Sequence, residues 1–106
     1  EAYVKSGADG ILIHSKLKKP FEIFKFSKKF SKSKFYKPIV AVPSTYSKTY
    51  ERNLIKNNIS VIIYANHLLR ASYPAMLNTA KLILKKSRSY ESEKKIVPIK
   101  EIISLI

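Results

Sequence analysis

The chain contains no cysteine, one aspartate, three arginines and two glycines among its 106 residues. Without cysteine, no disulfide can staple the fold and no thiolate site can hold zinc, and an intracellular, cytoplasmic setting is the expectation. No apolar run approaches the roughly 20 residues that cross a bilayer, and Glu1 opens no charged-then-apolar leader. Neither a membrane partner nor a signal peptide is therefore expected. The scarcity of aspartate bears on metals: magnesium wants hard oxygen ligands, commonly carboxylates. The single aspartate, Asp9, precedes an apolar run instead of following one, so no metal ligand is assigned within the chain.

What the chain has in excess is positive charge, a formal +14. A basic surface is the electrostatic footprint of nucleic-acid binding. Against that reading stand the three arginines, Arg52, Arg70 and Arg88, because bidentate phosphate and base recognition favours arginine. The lysines are also spread along helices and loops in a chain rich in Ile, Asn and Tyr. The densest stretch, Lys25 to Lys37, interleaves lysine with Phe26, Phe30, Phe35 and Tyr36. That pattern would suit a stacking surface for single strands, and it equally suits a solvated lysine face over a helix core. A basic nucleic-acid-binding module stands as the alternative from a different class.

The most informative stretch is Gly7-Ala-Asp-Gly-Ile-Leu-Ile-His-Ser-Lys16. A turn leads into three aliphatic residues with no polar alternation, which predicts a strand buried on both faces. His14, Ser15 and Lys16 then stand where a parallel strand delivers side chains to ligands, although a histidine there can equally be a plain strand cap. Pro38-Ile-Val-Ala-Val42 is a second apolar run, ended by Pro43 and followed by Ser44, Thr45 and Tyr46. Ile59 to Tyr64 is a third, followed by Ala65, Asn66 and His67. The predicted strands are 10–14, 38–42 and 59–64.

Helices fill the gaps. Residues 1–6 read as the last turn of a helix whose start is absent, with Gly7 at its cap, so the chain is expected to be a fragment of one larger domain. Pro20 opens a helix over 20–30 in which Ile23, Phe26 and Phe30 share one face. A short helix is expected over 49–56, closed by Asn57-Asn58, which tolerate left-handed geometry. Leu69, Tyr73, Met76, Ala80 and Ile83 step by four and three through a helix over 68–86, with Pro74 in its first turn or at a kink. The polar stretch Ser87 to Lys95 separates it from a last helix over 98–106. Alternating strands and helices in units of about 20 to 30 residues predict an α/β fold with a parallel sheet and right-handed crossovers. Each strand ends in a polar cluster, and three such clusters at one end of a sheet make a shared site.

Residues 7–16, Glu22-Ile23 with Phe26 and Phe30, Val42-Pro-Ser-Thr-Tyr46, Ala65-Asn-His-Leu-Leu-Arg-Ala-Ser72 and Ile96-Val-Pro-Ile-Lys-Glu-Ile102 resemble, in this order and spacing, the carboxyl-terminal half of the phosphoenolpyruvate phosphomutase family, within the isocitrate lyase superfamily. The resemblance implies a TIM-type (β/α)8 barrel of which this chain supplies strands six to eight. It implies homodimers or homotetramers that exchange the eighth helix, so that the terminal helix packs on another subunit. It further implies a phosphomutase, an isomerase interconverting phosphoenolpyruvate and phosphonopyruvate with Mg2+, the metal ligands lying in the missing amino-terminal half. Phosphonopyruvate hydrolase and the carbon–carbon lyases of the superfamily share much of this half-barrel. His14 matches the histidine that faces the transferring group. Ser15, Lys16, Ser44, Thr45 and Asn66 are expected around the substrate, with a solvent-facing Lys16 and an Asn66 that caps the next helix as the alternatives at those two positions. Arg70 is open between a phosphate and a neighbouring carboxylate. The segment alone is expected to be inactive.

Overall fold

The computed structural model describes residues 1–105. The chain forms two compact units, Glu1–Ala65 and the segment from Asn66 onward. In the first, α1 (Ala2–Lys5), β1 (Ile11–Ile13), α2 (Phe21–Phe30), β2 (Ile39–Ala41), α3 (Glu51–Lys56) and β3 (Val61–Ile62) follow in order. The three strands make one parallel sheet in the order β1-β2-β3. The register aligns Ile13 with Ala41 and Ala41 with Ile62, and in the adjacent row Leu12 with Val40 and Val40 with Val61. The strands are shorter than the apolar runs suggest. Ladder bonds nevertheless reach beyond them, from Ser60 N–H to the Ile39 carbonyl and from Ile63 N–H to the Ala41 carbonyl, both 2.9 Å.

Both short helices of this unit stop by the same device. The αL residue after α1 is Gly7, φ 96°, and Ala8 N–H reaches back to the Tyr3 carbonyl while Gly7 N–H reaches Val4, each at 3.0 Å. After α3 the αL residue is Asn58, φ 59°, with Ile59 N–H on the Leu54 carbonyl and Asn58 N–H on Ile55. These are Schellman turns, and the second carries the hydrophobic pair that typically accompanies them, Leu54 against Ile59. Gly10 serves close approach instead, because a Cβ there would lie 3.3 Å from the Pro38 carbonyl that receives the Ile11 N–H.

The core is Ile23, Phe30, Ile39, Ala41, Tyr46, Leu54 and Ile59, the helix-covered side of the sheet. Ser27 of α2 is fully buried among them, and its hydroxyl donates to the Asn57 carbonyl at the end of α3. One expectation is corrected on α2: the buried line runs Ile23, Ser27, Phe30, and Phe26 is turned outward, stacked on Phe30 at 5.3 Å. Residue 26 lies about 60° round the helix from residue 23, at the margin of the apolar stripe. Tyr36 leans on Phe30 from the other side at 5.9 Å, and Lys5 and Lys34 each sit 5.2 Å from the Phe35 ring. The aromatics of the lysine-rich stretch are thus engaged by their own neighbours.

The expectation that the first strand is buried on both faces is also corrected. Leu12 is 59% exposed and Val61 46% exposed, because helices cover one face of the sheet and nothing in this unit covers the other.

The second unit holds α4 (His67–Lys86), α5 (Tyr90–Glu93) and α6 (Ile99–Ile103). Helix α4 runs unbroken through Pro74, which removes one rung of the ladder where the surrounding residues are exposed to water. It ends at Ser87 in the αL region, φ 53°, with Lys85 and Lys86 on the negative end of the helix dipole. The stretch read as a polar separator contains α5: Ser92 is buried and donates to the Ser89 carbonyl at 2.6 Å, and Arg88 pairs with Glu91 at 2.6 Å. That ion pair holds the Glu91 carboxyl below the usual range. The helix expected over 98–106 is the five-residue α6, and residue 106 lies outside the described residues.

Candidate functional site

Parallel strands deliver their carboxyl ends to one side of the sheet, so the loops after β1 and β2 lie together. At the end of β1 the chain alternates exposed Leu12, half-buried Ile13, exposed His14 and buried Ser15. The imidazole of His14 therefore stands in the open, with no hydrogen-bond partner among the described residues. Lys16 is exposed beside it.

Ser15 is 3% exposed and its side chain is committed. Its hydroxyl donates to the Glu22 carboxylate at 2.6 Å and accepts the Leu17 N–H at 3.1 Å. Thr45, from the loop after β2, donates its hydroxyl to the Ser15 carbonyl at 2.6 Å. A clasp results: Glu22 on α2 fixes the Ser15 side chain, and Thr45 fixes the Ser15 main chain. The peptide that carries His14 is thereby tied to two further elements. Ser44 is half-buried next to it, its N–H on the Val42 carbonyl at 2.9 Å.

Three groups at these strand ends escaped sequence reasoning. Glu22 reads from sequence as a first-turn acid for the helix dipole, and its bond to Ser15 depends on a loop path that no periodicity encodes. Tyr46 is fully buried, and its hydroxyl is without a partner among the described residues. Burial in this apolar surround pushes its phenol up from the ordinary value. Tyr64, just past β3, donates to Glu51 at 2.7 Å, and this carboxylate raises the Tyr64 phenol. Tyr64 and Glu51 flank an open groove of about 420 Å³ that Ser47 and Arg52 also line.

Asn66 belongs to the second unit. It occupies the N-cap position of α4, where its carbonyl accepts the Arg70 N–H at 2.9 Å and its side chain makes no capping bond. Arg70 is exposed on the first turn of that helix.

Chemically, the β1 and β2 ends present an imidazole, an ammonium and the Ser44 hydroxyl, while the hydroxyls of Ser15 and Thr45 and the Glu22 carboxylate are already engaged with one another and with the Ser15 main chain. Such a surface offers donors to an anion. It does not offer a cation cage, for among the described residues no three metal-ligating side chains gather.

A parallel α/β sheet with polar side chains gathered at its strand ends defines a class, that of α/β proteins whose sites lie beyond the carboxyl ends of their strands. The comparisons narrow it. The model of the phosphoenolpyruvate phosphomutase family matches residues 1–84, and the chain belongs to that family. It is 37% identical over 105 residues to phosphoenolpyruvate phosphomutase of Tetrahymena pyriformis, covering 99% of this chain and 34% of that enzyme. It is 34% identical over 106 residues to phosphonopyruvate hydrolase of a Variovorax species, covering 99% of this chain and 36% of that one. The crystal structure of phosphoenolpyruvate phosphomutase from Streptomyces platensis subsp. rosaceus superimposes with a TM-score of 0.83 at 34% identity, over 98% of this chain and 35% of that one. This chain spans about a third of the length of the relatives it matches.

Proposed function

We propose that the chain is the carboxyl-terminal part of a (β/α)8 barrel, supplying strands six to eight. The intact enzyme would be a phosphomutase that interconverts phosphoenolpyruvate and phosphonopyruvate in phosphonate biosynthesis. The observation that carries this reading is the exposed His14, unpartnered among the described residues, on a clasped loop at a strand end, in a chain 37% identical over nearly its whole length to a phosphomutase. The row Leu12, Val40, Val61, exposed at Leu12 and Val61, supports the barrel, because a closed barrel would bury that face in its interior.

In the mutase direction from phosphonopyruvate, the carbon–phosphorus bond breaks and the phosphoryl group bonds to the former carbonyl oxygen. Atoms and charge balance within one molecule. The His14 imidazole N–H donates to the phosphoryl oxygens as charge spreads over them. Lys16 adds positive charge at the same loop, and Ser44 supplies a further donor. Ser15 and Thr45 hold the histidine's loop in place through the clasp.

Magnesium accompanies oxalate in a crystal structure of phosphonopyruvate hydrolase that superimposes on this chain with a TM-score of 0.80. The residues described here do not fit such an ion, and its carboxylate ligands belong on this reading to earlier strands. The apolar residues exposed on α4 and α6 fit a homodimer or homotetramer with helix exchange. A cytoplasmic setting is part of this proposal, supported by a sequence without cysteine. The hydrolase is the second reading, because its structure superimposes with a TM-score of 0.81 at 34% identity.

The test follows phosphorus through the intact protein supplied with phosphonopyruvate and Mg2+, by 31P NMR. Appearance of phosphoenolpyruvate establishes the mutase, and appearance of inorganic phosphate with pyruvate establishes the hydrolase. Conversion of neither overturns both. His14→Ala is expected to lower turnover by about 10²- to 10³-fold, as loss of one preorganised donor does. The 106-residue segment alone is expected to convert nothing.

A further inference from the structure

The second unit contains a cavity of about 550 Å³ between α4 and the segment that follows it, remote in sequence from the strand ends. Three lysines line it, Lys81 and Lys85 one turn apart on α4 and Lys95 after α5, all three exposed. The Asn78 amide adds a donor, and Leu82 and Ile96 supply an apolar side. No carboxylate lines it. Helix α4 has no acidic residue in its twenty positions, and the nearby Glu91 is taken by Arg88 at 2.6 Å.

Three like charges around one hollow repel one another, and the acidic residues nearest in sequence to its lining, Glu91 and Glu93, flank Ser92 without lining it themselves. The volume lies in the range of small-molecule pockets, and a wall part aliphatic and part cationic suits a compact anion with a carbon body. A polymeric strand would instead call for an extended basic track with stacking rings, and no aromatic side chain lines this cavity.

We infer that the cavity walled by Lys81, Lys85 and Lys95 is a binding site for a small phosphate-bearing anion, separate from the site built on His14. The charged oxygens would meet the lysines and Asn78, and the carbon body would rest on Leu82 and Ile96.

Pyrophosphate, which carries the phosphate charge of such a ligand without its carbon body and so reads the lysine wall alone, is the probe, titrated calorimetrically into the intact protein. The wild type is expected to show saturable binding at this site, and Lys81→Gln/Lys85→Gln/Lys95→Gln to weaken it roughly tenfold or more, the effect of losing charge-assisted hydrogen bonds. A variant with the same change in charge elsewhere, Lys25→Gln/Lys28→Gln/Lys32→Gln, is expected to bind as the wild type does. Lys95→Gln, which lies outside the helices, replaces the triple variant should that one not fold. Absence of saturable binding, equal weakening in the two triple variants, or binding abolished by His14→Ala and untouched by the lysine changes would each overturn the inference. Turnover of phosphonopyruvate, measured on the same lysine variants, is expected to be unchanged, so the outcome is independent of the reaction proposed above.

Discussion

Tyr46→Phe is expected to stabilise the protein. The ring of Tyr46 is fully enclosed with Ile23, Ile39 and Leu54, and its hydroxyl is buried without a partner among the described residues. A hydroxyl taken out of water and given no hydrogen bond costs about 1–3 kcal/mol, whereas the ring itself gains from burial. Phenylalanine keeps the ring and discards the cost, so the free energy of unfolding should rise by about 1 kcal/mol or more. Urea unfolding at neutral pH measures this as a higher midpoint with an unchanged slope. A second arm uses pH. Burial raises the folded-state pKa of this phenol above its unfolded value near 10. The unfolded chain therefore releases this proton first, so the contribution is complete below about pH 10 and is lost as pH climbs through the folded pKa. The advantage of Tyr46→Phe over the wild type should consequently widen above about pH 10. A variant destabilised by about 1 kcal/mol, with a gap that does not grow in alkali, would show that the hydroxyl is hydrogen-bonded and refute the reasoning.

Leu54→Ala removes a fully buried side chain that also anchors the Schellman turn against Ile59, and should cost about 2–5 kcal/mol in the same assay. Lys28→Ala, on the solvent side of α2, should stay within about 0.5 kcal/mol. Thr45→Val breaks the clasp on the Ser15 carbonyl; it should cost about 1 kcal/mol of stability and lower phosphonopyruvate turnover, with the stability loss read by urea and the turnover by 31P NMR.

The alternation of strands and helices was legible because hydrophobic period is a property of consecutive residues. Ile23 and Phe30 lie on the buried face their spacing suggests, and the run Ile39–Ala41 forms a strand as its apolar, β-branched composition suggests. Asn58 at φ 59° likewise follows from the tolerance of asparagine for the αL region. What was not legible depends on where loops travel. The three-residue run Ile11–Ile13 says that two faces are apolar and does not say that two layers are at hand. Ser15 and Glu22 are seven residues apart, a separation with no meaning in either a helix or a strand, and only the path of the β1–α2 loop brings them together. Tyr46 sits beyond the proline that ends β2, where periodicity no longer applies, and its burial comes from a loop path that brings it into the cluster of Ile23, Ile39 and Leu54. The turn α5 formed in a polar stretch because Ser92 and Arg88 satisfied it locally, a signal of short hydrogen bonds without an apolar stripe.

The bare side of the sheet connects these observations energetically. Leu12, Val61 and Ile63 are wetted on a strand surface whose other face is closed by α2 and α3. Each aliphatic side chain left exposed forgoes up to about 1.5–3 kcal/mol of burial. Three of them forgo a large share of the 5–15 kcal/mol that holds a typical domain together. Both edge strands, β1 and β3, also present unpaired backbone groups, which invite pairing with other chains. On the proposed barrel both defects have one remedy, since further strands would occupy the edges and their inward side chains would cover the same row. The residues that make the isolated segment marginal would then be those that fix the mouth of the barrel, with His14 one position beyond its wetted sheet face.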